Sequence, residues 1–91
     1  MPERRVVIGS KVGLHARPAA MFVQAAAKQP VKVTIAKGAG GDPVDARSIL
    51  SVLALDARGG DEVVLVAEGD GADQALDELA ALVARDLDSE G

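Results

Sequence analysis

The order in which strand and helix patterns follow one another is the feature that most restricts this chain's fold. Residues 31–36 alternate apolar and polar side chains, which is typical of a strand with one buried face. Residues 4–8 read as a first strand, and the unbroken apolar run within 62–66 indicates a central strand. Val44 begins a short return strand, which we place at the sheet edge because Pro43 cannot donate a ladder hydrogen bond.

Three helices are predicted around these strands. The first includes the stretch 19–27, and we expect it to begin near residues 16–18, because proline, here Pro18, is favoured in a first helical turn. The second is short, and Asp45 is its predicted N-cap. The third follows Gly71, and its apolar residues recur at helical spacing. These core residues of the third helix are Leu76, Leu79, Val83 and Leu87.

The resulting order, β-α-β-β-α-β-α, lacks the regular alternation of a parallel α/β protein. We therefore expect an α+β fold, an antiparallel sheet with its helices on one face. With 91 residues and no cysteine, the chain is expected to form one small domain, 1–91, without disulfide bonds. Residues 88–91 are expected to be a frayed tail.

Composition argues against several classes of function. Phe22 is the only aromatic residue and the net charge is −4, so nucleic acid finds neither a stacking platform nor electrostatic attraction. No apolar stretch approaches the roughly 20 residues that a membrane span needs, so we expect no membrane insertion. The first ten residues lack the apolar core of a signal peptide, and we expect a cytoplasmic protein.

The chemistry centres on His15, the only histidine of the chain. It lies just before the predicted start of the first helix, where backbone N–H groups and the helix dipole favour an anion and a neutral, nucleophilic imidazole. Arg17 adds a guanidinium suited to phosphate oxygens. These two residues alone leave open an ordinary loop histidine and a solvated arginine.

Other chemistries find less support in the sequence. There is no second histidine and no cysteine to complete a metal site, and no GxxxxGK[ST] loop for ATP. We expect neither metal nor cofactor. Such a protein could hold a phosphoryl group that another protein supplies.

The octapeptide Gly13–Ala20, GLHARPAA, resembles the active-site signature of the HPr family. This family comprises the histidine-containing phosphocarriers of the bacterial phosphoenolpyruvate:sugar phosphotransferase system. The similarity continues through residues 48–55 and 60–63, and it covers nearly the whole chain. It implies an open-faced β-sandwich whose four-stranded antiparallel sheet has the order 1-4-2-3, with three helices on one face.

The resemblance also implies a mechanism and partners. His15 would accept phosphate on Nδ1 from phospho-enzyme I, itself charged by phosphoenolpyruvate, and would pass it to the IIA component of a sugar permease. Arg17 would stabilise the phosphoryl group, and we expect a monomer. A small apolar surface would dock the partners, although Leu53 could equally be a core residue. The residues of this surface would be Ala16, Ala20, Leu50 and Leu53.

Ser48 stands at the place of the family's regulatory serine, which an HPr serine kinase/phosphorylase modifies in many Gram-positive members. With Asp45 as N-cap, Ser48 would lie in the first helical turn, where added negative charge is tolerated. A plain first-turn serine is the alternative. Ser51 and Asp56 stand where the family commonly has glycine, which leaves the regulatory use of Ser48 open.

Two other functions are compatible with this length and fold. An acyl-phosphatase-like enzyme would hydrolyse an acyl phosphate steadily, although no glycine-framed arginine–asparagine pair supports it. A regulatory HPr-like domain or a nitrogen-branch paralogue is the second alternative. His15 argues against members that have lost the phosphorylatable residue, but it does not separate the sugar branch from the nitrogen branch.

Overall fold

The computed structural model describes residues 2–9, 13–14, 16–38 and 40–85. The strands and helices within these residues follow the predicted order β-α-β-β-α-β-α. Their bounds are β1 Glu3–Val7, α1 Ala16–Ala27, β2 Val33–Lys37, β3 Val44–Asp45, α2 Ile49–Ala54, β4 Glu62–Ala67 and α3 Ala72–Ala84.

The strands form one antiparallel sheet of order β1-β4-β2-β3, which confirms the predicted topology. Strand β4 is central, since Leu65 pairs with Arg4 of β1 on one side and with Ile35 of β2 on the other. The two-residue strand β3 lies at the edge beside β2, where Pro43 needs no ladder partner.

The core lies between the sheet and the helices. Buried side chains come from the inward face of the sheet and from all three helices, including Phe22 of α1, Val52 of α2 and Leu76 of α3. Arg4 faces the helices and pairs with Asp77 of α3, so its neighbour Arg5 faces the opposite side. This arrangement is the predicted α+β open-faced sandwich.

The predicted N-cap of α2 was wrong. Asp45 ends strand β3 opposite Thr34, and Ser48 caps the helix through an Oγ that accepts the Ser51 N–H at 3.3 Å. The Asp45 carboxylate instead binds the guanidinium of Arg47 and accepts its backbone N–H, and these hydrogen bonds lower the pKa of Asp45. Ladder pairing with β2 holds Asp45 in the sheet. The N-cap of α2 is therefore three residues later in the sequence than predicted.

Further strand predictions differ from the structure. Strand β1 covers Glu3–Val7 rather than residues 4–8. Strand β2 begins at Val33 rather than at residue 31, because its pairing with β4 starts where Ala67 faces Val33. Ala36, expected on the exposed face, is buried. Leu87 and the expected tail 88–91 lie outside the described residues, and the single-domain organisation stays a prediction. Within the part of the chain that the structure describes, no helix is long and apolar enough to cross a membrane.

Candidate functional site

The segment that leads into α1 is fastened to the turn that follows α2. The backbone N–H of Leu14 donates to the carbonyl oxygen of Ala57 at 2.8 Å, and both side chains are buried. Gly13 has a φ of +77°, and a Cβ added there would lie 2.2 Å from the same carbonyl oxygen. The two backbones approach so closely that only glycine fits at position 13.

His15 itself lies outside the described residues. The residue before it is the buried Leu14, and the residue after it, Ala16, is the first of α1. The prediction that a helix begins near residues 16–18 is therefore confirmed, and the predicted phosphoryl acceptor immediately precedes that helix in the sequence.

The first turn of α1 separates a buried side from an exposed side. Pro18 and Ala19 are buried, whereas Arg17 is exposed. No acceptor among the described residues binds the guanidinium of Arg17, so its donors are available to an anion that arrives from outside.

The predicted docking residues come from α1 and α2, which pack against each other. Leu50 is 78% exposed, and Ala20 of α1 is half-buried. Leu53 is half-buried and packs against the core. The side chain of Ala16 lies outside the described residues.

Sequence reasoning overlooked Ile49, which is 38% exposed beside Leu50. No local signal marked it, because adjacent apolar residues of a helix can both face the core, as Ala75 and Leu76 of α3 do. Ile49 and Leu50 together extend the apolar surface at the start of α2.

The turn that fastens Leu14 is held by its own charged network. The backbone N–H of Arg58 donates to Asp61 at 3.0 Å, and this bond, supported by the nearby charge of Lys37, lowers the pKa of Asp61. Lys37, at the end of β2, donates from Nζ to the carbonyl oxygen of Asp56 at 3.2 Å and pairs with Asp61 at 3.5 Å. The sheet thereby positions the turn, and the turn positions Gly13 and Leu14.

Asp56 begins this turn in a left-handed conformation. Its φ of +52° is the only positive value among the described non-glycine residues. Such a conformation suits glycine best and is tolerated by aspartate. Glycine would adopt this conformation without strain.

Charge is distributed unevenly over the helices. Arg17 is the only charged residue of α1 and α2 taken together, whereas α3 carries Asp73, Asp77 and Glu78 and no basic residue. The α1–α2 surface therefore presents no carboxylate of its own helices to an approaching anion. A separate groove of about 470 Å³ lies between α1 and α3, lined by residues such as Gln24, Lys28 and Gln74.

We predict that Gly13→Ala lowers the free energy of unfolding by at least about 2 kcal/mol. The new methyl group would collide with the Ala57 carbonyl, and the positive φ would add strain. Gly60→Ala is the matched control, since Gly60 has a φ of +88° with nothing within 4 Å of an added Cβ. Gly60→Ala should lower the free energy of unfolding by only about 1 kcal/mol, because alanine is strained at a positive φ. Urea unfolding of both variants measures the difference, and equal losses would contradict the close contact at Gly13.

Comparison with known proteins places this geometry in a family. The family model described as "PTS HPr component phosphorylation site" matches residues 2–85. The phosphocarrier protein HPr of Streptomyces coelicolor is 56% identical over 88 residues, which cover 97% of this chain and 94% of that protein. The HPr-like protein Crh of Bacillus subtilis is 39% identical over 87 residues, 96% of this chain and 100% of that protein.

A solved structure agrees with the sequence relatives. The crystal structure of a phosphocarrier protein HPr from Bacillus anthracis superposes with a TM-score of 0.84 at 39% identity, covering 90% of this chain and 95% of that one. Sequence, family model and fold lead to one conclusion. The chain belongs to the HPr family, the phosphocarrier proteins of the phosphotransferase system.

Proposed function

We propose that His15 accepts a phosphoryl group from phospho-enzyme I and donates it to IIA components of sugar permeases. The observation that carries this proposal is the setting of position 15. It lies between Gly13–Leu14, which are fastened to Ala57, and the N-terminus of α1, in a chain matched by the HPr phosphorylation-site family model.

The local chemistry supports phosphoryl acceptance. The first four N–H groups of a helix have no acceptor inside the helix, and the helix dipole is positive at that end. Both effects disfavour an imidazolium and favour a phosphoryl dianion next to α1. We propose, following the family resemblance, that the lone pair of Nδ1 attacks the phosphorus while the bond from phosphorus to the donor breaks. Positioning and charge stabilisation supply most of such catalysis.

The α1–α2 surface is the proposed docking site for both partners. Leu50 is 78% exposed beside the partly exposed Ile49, and contiguous apolar side chains at a surface are typical of protein interaction sites. We include Ile49 with the docking residues predicted from the sequence, namely Ala16, Ala20, Leu50 and Leu53. A surface that must bind donor and acceptor in turn suits a monomer, and a relay charged by phosphoenolpyruvate belongs in the cytoplasm.

Our first functional test is phosphorylation by phosphoenolpyruvate and a bacterial enzyme I, followed by intact mass. The wild type should gain a single acid-labile phosphoryl group, and His15→Ala should gain none, because no other histidine is available. Undiminished labelling of the variant would refute the assignment. Steady hydrolysis of an added acyl phosphate by the protein alone would support the acyl-phosphatase alternative instead.

Arg17→Ala should slow phosphoryl transfer about 10²–10³-fold, because a donor directed at developing charge is lost. Its side chain is exposed and unpaired among the described residues, so the melting temperature should stay close to that of the wild type. Arg5→Ala is the control of equal charge, since Arg5 lies on the opposite side of the sheet with Glu3 and Glu62. Equal rates for the two variants, measured by rapid quench, would exclude a transfer role for Arg17.

We also propose that Ser48 is a regulatory phosphorylation site. Its Oγ already accepts the Ser51 N–H, and a phosphate oxygen could take over that hydrogen bond. The added charge would then leave α2 capped while lying next to the exposed Ile49 and Leu50. Association would be opposed by the desolvation of that charge and by repulsion from acidic partners.

Ser48→Asp and Ser48→Asn form a matched pair for this proposal, because both side chains are good N-caps and only one is charged. We expect both variants to keep the melting temperature within a few degrees of the wild type. Calorimetric titration with enzyme I should show weaker binding for the aspartate variant only. Equal affinities of the pair would contradict an electrostatic role, and a collapsed melting temperature would indicate an effect on folding.

A further inference from the structure

Arg58 lies against the segment that leads to His15. A Cβ built on Gly13 would be 2.5 Å from the Cα of Arg58, and the preceding residue, Ala57, accepts the N–H of Leu14. Position 58 is therefore in backbone contact with a residue only two positions before the proposed phosphoryl acceptor.

Most N–H donors of the Arg58 guanidinium have no acceptor among the described residues. Its side chain is 71% exposed, and its one described side-chain contact joins a single terminal nitrogen to the Asp56 carboxylate at 3.3 Å. An arginine presents five N–H donors in a planar fork, so the remaining donors face solvent and could bind a second anion.

The geometry allows this guanidinium to reach the site. Two residues of fully extended chain span at most about 7 Å, and an arginine side chain is of similar length. Because Gly13 touches the Arg58 backbone, chain connectivity alone limits how far residue 15 can lie from Arg58, and this limit is comparable to the reach of the arginine side chain. The backbone at Arg58 is meanwhile held in place by Asp61, which accepts its N–H and is itself paired with Lys37.

We propose that Arg58 supplies a second guanidinium to the phosphoryl group on His15, in addition to Arg17. This inference rests on the proposed phosphorylation of His15. The two cations approach from different elements, Arg17 from α1 and Arg58 from the turn after α2. Together they favour the phosphoryl dianion over its monoanion in the isolated phosphoprotein, before any partner docks.

The test is a ³¹P NMR pH titration of the phosphorylated protein without partners. Because a cation favours the dianion, Arg58→Gln should raise the phosphoryl pKa, by about half a unit for a solvent-exposed pair. Arg58→Lys should restore part of the shift, and Arg5→Gln should cause none. Among the described residues, the charged groups of the neighbouring elements are Arg17, Lys37, Asp56 and Asp61, and all of them are unchanged across this series.

Each outcome separates this inference from the function on which it rests. Failure of the wild type to form phosphohistidine would refute the proposed function itself. Normal phosphorylation with the same phosphoryl pKa in wild type and Arg58→Gln would overturn only the role of Arg58. A raised KM for enzyme I with an unchanged phosphoryl pKa would likewise overturn it, since that result assigns Arg58 to docking. Removing an exposed ion pair should leave the melting temperature nearly unchanged, which excludes unfolding as a cause.

Discussion

The hydrogen bond from the Leu14 N–H to the Ala57 carbonyl is the contact on which the site depends. It joins the chain just before α1 to the turn between α2 and β4, two regions more than forty residues apart in the sequence. Gly13 makes it possible, since a side chain there would collide with the Ala57 carbonyl. The buried side chain of Leu14 then anchors the start of α1 to the core.

The position of this contact depends in turn on the sheet. Strand β4 is central, and Lys37 at the end of its neighbour β2 binds the carbonyl of Asp56 and the carboxylate of Asp61. The same turn is thus held by the sheet on one side and contacts Gly13 and Leu14 on the other. A phosphocarrier gains from such a scaffold, because its acceptor must be presented at an open surface while its backbone environment stays the same for each partner.

Much of this architecture follows from local sequence signals, which is why it could be predicted. The strand β2 was predicted from the alternation in residues 31–36. The apolar run in 62–66 indicated the central position of β4, and Pro43 indicated the edge position of β3. The cap of α2 could not be read in the same way, because Asp45 and Ser48 are both good N-caps and only pairing with Thr34 decides between them. The approach of Gly13 to Arg58 depends on tertiary contacts, so nothing in the sequence near Arg58 revealed its place beside the site.

The N-cap position of Ser48 is compatible with the proposed phosphorylation, because a phosphate there need not disturb the fold. A small domain has only about 5–15 kcal/mol of stability, so a modification inside its core would threaten the fold. At an N-cap the hydrogen-bond acceptor is retained when an oxygen anion replaces the hydroxyl, and the helix dipole favours the charge. Under the proposed function, the energetic cost would fall on a partner that covers Ile49 and Leu50 and must desolvate that charge. The proposed phosphorylation of Ser48 would therefore change docking while the six-residue helix α2 stays capped.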